Sequence, residues 1–128
     1  MIACDRKRAF EKFGVKIDIY ESQLYADEAF YIPDLKTMFL SDSIPEKKRV
    51  QVTFHELGHK GHMPHIYEMF REKCELEANR HMIHCLIKEE LEQADDYRSF
   101  NYLVFMEKYD LKTFADEAMV LDEYRKLA

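Results

Sequence analysis

The sequence lacks several features that would assign it to a particular class of protein. It has no tryptophan, three cysteines, and no run near the roughly 18 apolar residues that a membrane-spanning helix needs. Because the cysteines are odd in number and form no Cys-x-x-Cys pair, no disulfide framework is expected, and a reducing cytoplasm is the predicted setting. The first residues contain no apolar segment after their charges, so no secretory signal peptide is expected.

An excess of positive charge is also missing. The chain has 19 basic and 25 acidic residues, a net charge of −6, which argues against a surface that binds nucleic-acid phosphates. The basic clusters at 6–8 and 47–49 are short and are predicted to be solvated surface. Neither nucleic acid nor a membrane is therefore expected as a direct partner, and the oligomeric state is left open.

The most informative feature that is present is the segment His55–His59, with the sequence HELGH. An α-helix places residues four apart on one face, so His55 and His59 are spaced to bind a single Zn²⁺. Glu56 projects beside such a metal, where it can take a proton from bound water and pass it to a leaving amine. The segment predicts a catalytic zinc site, and an accidental pair of helical histidines is the alternative.

A catalytic zinc usually has three protein ligands and leaves its fourth position to water. His65 follows His59 by six residues, the spacing of the long metzincin motif, but His62 stands where that motif needs glycine. Glu75 lies sixteen residues after His59, which is enough to end one helix and return on a second. Asn79 shares the face of Glu75 and is predicted to orient a ligating histidine through its amide. Glu75 is the favoured third ligand, and His65 is the alternative.

The periodicity of apolar residues predicts an α+β fold with a single domain over residues 1–128. Residues 1–42 are expected to form one helix, ended by Gly14, and a small antiparallel sheet. Residues 43–95 are expected to form the metal-site helices, and residues 96–128 a helical tail. No internal repeat, low-complexity segment or long linker divides the chain.

Three runs are predicted to be strands: 15–19, 29–32 and 35–40. A turn at Pro33-Asp34 would join the second and third strands as a hairpin. The run 35–40 directly precedes the metal helix, so we expect it to be an edge strand that pairs with extended substrate. Peptide pairing at a sheet edge would hold the substrate main chain beside the metal.

The helices have predicted boundaries and buried faces. A capping box at Ser43 should begin the metal helix, which would run to about Lys60 before a cap at Gly61, and a second helix should span 67–93. Small Ala78 on that second helix would let the two helices approach closely. Expected core positions are Val50, Phe54, Leu57, Phe70, Cys74, Ala78, Cys85, Leu86, Leu111, Phe114, Ala118 and Leu121.

The two metal-site segments together resemble a known family. His55–His59, followed by Glu75-x-Glu77-Ala78-Asn79, is similar to the ImmA/IrrE family of small metallopeptidases over roughly residues 10–95. The resemblance implies a gluzincin-like fold and assigns His55, His59 and Glu75 as ligands of one Zn²⁺ and Glu56 as the base. The chain departs from the family after Asn79, where His81-Met82 and residues 86–88 replace the usual Phe-Ala and Leu-Leu-Met-Pro.

The resemblance also implies a function: intracellular, zinc-dependent endopeptidase activity on a helix-turn-helix repressor, which would switch on prophage or mobile-element genes. The alternatives are a binding protein that docks on such a repressor without cutting it, and a general peptidase. His62, His65 and Tyr67 are candidates for lining the cleft or stabilising the oxyanion, and surface positions are the alternative for the two histidines. His81 and His84 are expected to be structural.

Overall fold

The computed structural model describes residues 14–24, 28–59 and 64–127. Three strands come first, β1 (Lys16–Tyr20), β2 (Ala29–Ile32) and β3 (Thr37–Ser41). They are followed by five helices, α1 (Arg49–Gly58), α2 (Pro64–Met69), α3 (Arg71–Gln93), α4 (Tyr102–Lys108) and α5 (Phe114–Leu127). The expected α+β fold is confirmed. The helix expected before Gly14 and the cap expected at Gly61 lie outside the described residues.

The sheet has the order β1-β3-β2, so β3 is its central strand. β3 pairs antiparallel with β2, as the hairpin prediction requires, through a short 3₁₀ turn at Pro33–Leu35. It pairs parallel with β1, so the antiparallel pairing expected for this sheet does not hold for that pair. The chain reverses direction twice between β1 and β3, and both strands therefore run the same way.

The prediction that residues 35–40 form an edge strand is also wrong. β3 carries the fully buried side chains of Met38 and Leu40, whereas every residue of β2 is only partly buried. Placing β3 between its two neighbours removes Met38 and Leu40 from water. Among the described residues no strand pairs with the outer edge of β2, and β2 packs against α1.

Helix α1 is shared by two hydrophobic clusters. Leu57 packs with Met38 and Leu40 of the sheet, and Val50 and Phe54 pack with residues of the later helices. The predicted core stripe of this helix is thus confirmed. The predicted capping box is wrong, because the Ser43 hydroxyl hydrogen-bonds to that of Ser41 at 2.7 Å and a 3₁₀ turn, Glu46–Lys48, leads into the helix instead.

The second predicted helix is two helices in the structure. The backbone leaves helical geometry at Phe70, with φ −129°, so α2 and α3 are separate and Phe70 is half exposed rather than buried. The other predicted core positions of α3, including Cys74 and Ala78, are buried as expected. None of the helices among the described residues combines the length and apolar character needed to span a membrane.

The helical tail packs in a register that periodicity did not predict. Phe114 is 93% exposed and Ala118 is exposed, whereas Met119 and Val120 are buried. Met119 and Val120 pack in the main hydrophobic cluster, and Glu123 on the same face accepts hydrogen bonds from Arg80 and His84 of α3 through its nearly buried carboxylate.

Candidate metal centre

The two motif histidines occupy the end of α1. His55 is in its last turn, and His59 follows the last helical residue with φ −85°. Their Nε2 atoms lie 3.2 Å apart, as expected for residues one helical turn apart that point to one side. The observed distance agrees with the four-residue spacing, and the role of the two histidines as metal ligands stays a prediction.

Glu75 of α3 closes a triangle with the two imidazoles. Its Oε1 lies 3.3 Å from Nε2 of His55, and its Oε2 lies 2.8 Å from Nε2 of His59. Within the described parts of the chain, these three residues are the only group of potential metal ligands whose donor atoms all lie within 4.8 Å of one another. His65, the alternative third ligand, is exposed on α2 and is not in the group.

The triangle fits a tetrahedral metal ion. Zinc bonds of about 2.1 Å to nitrogen and oxygen place neighbouring ligand atoms about 3.4 Å apart. The two imidazole nitrogens are 3.2 Å apart, and each has a different Glu75 oxygen close to it, Oε1 at 3.3 Å from His55 and Oε2 at 2.8 Å from His59. Two imidazoles and one carboxylate are also the ligand set of thermolysin-type zinc sites. The side chains of His55 and His59 are 21% and 18% exposed and that of Glu75 is 41% exposed, so the site is open to solvent on the glutamate side.

Tyr67 of α2 contacts the triangle directly. Its hydroxyl donates a hydrogen bond to Oε2 of Glu75 at 3.0 Å, and its ring meets the His59 ring edge-on with 5.6 Å between centroids. The hydrogen bond to Glu75, with burial as a smaller cause, raises the pKa of Tyr67 above its ordinary value. The guanidinium of Arg71 lies over the Tyr67 ring, with its Cζ 5.4 Å from the ring centroid. The sequence marked Tyr67 as a candidate for lining the cleft or stabilising the oxyanion, and its contact with Glu75 was not predicted, because no local pattern relates α2 to α3.

Residues 10–120 match the family described as the IrrE N-terminal-like domain, Peptidase_M78. The chain belongs to this family. The resemblance inferred from the motif residues is thereby confirmed, and membership implies a metallopeptidase. No curated protein and no solved structure matches the chain significantly.

In this IrrE-like domain the predicted base, Glu56, is half-buried beside His55. Val52 lies one turn before Glu56 on the same face of α1. Val52 packs against the hydrophobic cluster of the sheet, and so do Ala29 and Tyr31 of β2. Glu56 therefore lies on the side of the histidines that faces the sheet. Asn79 is half-buried one turn after Glu75, and its role in orienting a histidine stays a prediction.

The remaining histidines divide into two groups. His62 lies outside the described residues, and His65 is exposed near the site. On α3, Nε2 of His81 is 3.6 Å from Sγ of buried Cys85, and Nδ1 of His84 is 3.0 Å from Glu123. Burial, with the nearby His84, lowers the pKa of His81 below its ordinary value. The His84 contact joins α3 to α5, whereas the His81 contact lies within α3.

Proposed function

We propose that the chain is a zinc-dependent endopeptidase of the cytoplasm that cleaves a helix-turn-helix repressor and so derepresses prophage or mobile-element genes. The observation that carries the proposal is the convergence of His55, His59 and Glu75, with Glu56 next to His55 on α1. Membership of a peptidase family supports hydrolysis as the reaction. The net charge of −6 supports a basic, DNA-binding substrate, because opposite charges favour encounter.

Each residue has a distinct role in the proposed reaction. His55, His59 and Glu75 would hold the ion, which when bound supplies a Lewis acid for the scissile carbonyl and lowers the pKa of water to about 7. Glu56 accepts the proton of the attacking water and delivers it to the leaving amide nitrogen. Tyr67 keeps the carboxylate of Glu75 directed at the imidazoles through its hydrogen bond.

The outer edge of β2 is suited to hold the substrate main chain. The hydrogen bond from Ser41 N–H to the Glu28 carbonyl, 2.7 Å, fixes which β2 residues bond to β3. Along an antiparallel pair, residues that bond to the neighbouring strand alternate with residues whose N–H and C=O groups point away from it. Ala29 and Tyr31 are of the second kind, so their N–H and C=O groups point away from β3. No strand pairs with that edge among residues 14–24, 28–59 and 64–127. An extended peptide added there would lie on the Glu56 side of the metal helix.

Ala29→Pro tests this placement. Proline removes the outward N–H while leaving the bonds to β3, and proline is tolerated at an outward position of an edge strand. Cleavage should fall several-fold through KM, whereas Ala29→Val, which keeps the N–H, should cleave normally. Equal KM values for Ala29→Pro and the parent chain would remove β2 from substrate binding.

The main experiment is incubation of the zinc-loaded protein with the repressor encoded beside its gene, followed by mass spectrometry of the fragments. The parent chain should give one defined cut, and Glu56→Gln should give none. Glu77→Gln, a change of the same kind at an exposed position two residues from Glu75, should cleave normally.

The second candidate function, docking without hydrolysis, predicts a different result. Glu56→Gln would then inhibit the repressor as well as the parent chain does, and no fragments would form with either. Cleavage of unrelated unfolded proteins at comparable rates would instead indicate a general peptidase.

A further inference from the structure

Helices α1 and α3 touch through backbone at Gly58. A Cβ built on this glycine would lie 2.8 Å from Cα of Ala78, 3.0 Å from the Ala78 carbonyl oxygen and 3.1 Å from Cβ of His81. Real Cβ atoms essentially never come closer than 3.0 Å to another heavy atom. Ala78 is fully buried, and the two nearest atoms belong to its backbone, so they cannot rotate away. A side chain at residue 58 would force the helices apart.

Backbone conformation does not require glycine at this position. Gly58 is the last residue of α1 and has no positive φ, unlike Gly14, whose φ is +65°. Alanine is the better helix former, so helix propensity would favour a methyl group at residue 58. The close approach of α3 is therefore what excludes it.

This contact lies one turn or less from every side chain of the triangle. Gly58 directly precedes His59 and follows His55 by three residues, and Ala78 follows Glu75 by three. α1 carries two corners of the triangle and α3 carries the third. The distance between the helices at Gly58 and Ala78 consequently sets the distance from the imidazoles to the carboxylate.

We infer that Gly58 is a positioning residue that fixes the separation of the two ligand-bearing helices and thereby the affinity for the metal. The inference rests on the proposed function, because it assumes that the triangle binds an ion. Relief of the contact from 2.8 Å to an ordinary 3.4 Å moves α3 by about 0.6 Å. Metal–ligand distances tolerate only about 0.2 Å, so the ligands would no longer meet one ion without further adjustment.

The test compares Gly58→Ala with Gly14→Ala, which adds the same methyl group at a strained φ but into open space. Zinc affinity is measured by competition with a chelating dye, thermal unfolding is measured without metal, and metal-free crystals give the separation of residues 58 and 78. Gly58→Ala should bind zinc about 10-fold more weakly or worse, the range seen when groups that orient ligands are lost. Gly14→Ala should lower the unfolding temperature and leave zinc affinity unchanged.

Equal zinc affinity in Gly58→Ala and the parent chain would overturn the inference. If Gly58→Ala does not fold, Ala78→Ser adds one atom to the same crossing from the other helix and should also weaken zinc binding. If the parent chain binds no zinc, the proposed function fails. The role of Gly58 in setting the helix separation is then tested by the metal-free crystal structures alone. An unchanged distance between His59 and Glu75 in Gly58→Ala would reject that role.

Discussion

At the residue scale, the carboxylate of Glu75, the predicted third ligand, is contacted by a side chain that no motif contains. The Tyr67 hydroxyl and the His59 ring nitrogen both meet Oε2 of Glu75, at 3.0 and 2.8 Å. Because Glu75 is the most exposed member of the triangle, its orientation depends on such contacts more than on packing. Groups that hold a ligand in place contribute to metal affinity without touching the ion.

We expect Tyr67→Phe to weaken zinc binding by about 10-fold, because the hydrogen bond that orients Glu75 is lost. Tyr109→Phe is the matched control, since the Tyr109 hydroxyl also donates to a glutamate, Glu90, at 3.1 Å but away from the site. Zinc affinity is measured for both variants by dye competition. Unchanged affinity in Tyr67→Phe would show that Glu75 is oriented without the tyrosine.

At the element scale, α3 and α5 are joined by a cluster of charges. Arg80 donates to both Asp122 at 2.7 Å and Glu123 at 2.8 Å, and Lys126 and His84 also contact Glu123. The Glu123 side chain is only 6% exposed. Burial acts to raise the pKa of Glu123, but hydrogen bonds from Lys126, Arg80 and His84 outweigh it and lower that pKa overall.

The lowered pKa of Glu123 makes this contact sensitive to acid. A carboxylate with a depressed folded-state pKa stabilises the protein above its ordinary pKa of about 4.3, and the stabilisation is lost as the pH falls through the folded-state value. We expect Glu123→Gln to lower the free energy of unfolding at pH 7 by about 1–2 kcal/mol, after allowing for the solvent exposure of Arg80. The difference from the parent chain should shrink below about pH 4.

Thermal unfolding of both proteins at pH 7 and pH 3 measures this difference. Glu107→Gln makes the same change at an exposed position on α4 and should have almost no effect at either pH. A loss of stability in Glu123→Gln that is as large at pH 3 as at pH 7 would mean that its charge does not stabilise the helix pair.

At the scale of the whole molecule, the candidate metal site links the two parts of the core. α1 packs against the sheet through Leu57 and against the helices through Phe54, and Glu75 extends from α3 to the same end of α1. An ion bound only by the folded chain stabilises it by about 2.7 kcal/mol when its concentration is 100 times the dissociation constant. Metal binding and folding should therefore be coupled.

We expect zinc to raise the unfolding temperature of the parent chain and a chelator to reverse the increase. Glu75→Gln should unfold near the temperature of the metal-free parent and gain little from zinc, because one ligand is lost. Differential scanning calorimetry with and without zinc measures both effects. If zinc raised the unfolding temperature of Glu75→Gln as much as that of the parent chain, the zinc would be bound at another site.

Local patterns in the sequence were sufficient to predict several features. The four-residue spacing of His55 and His59, the buried stripe of α1 and the positions of the three strands all follow from the period of a helix or a strand. Each of these features depends on residues only a few positions apart. Backbone geometry relates such residues in the same way in almost any fold.

Other features were decided by tertiary structure alone. The central position of β3 and the contact of Glu123 with α3 each join segments distant in sequence, and the contact of Tyr67 with Glu75 joins two separate helices. Periodicity identifies which side chains prefer burial, but not which of several apolar or charged partners they will meet. Amino-acid order therefore placed His55 and His59 on one side of a helix with Glu56 between them in sequence, whereas the packing of α3 on α1 brought the carboxylate of Glu75 within reach of the two imidazoles.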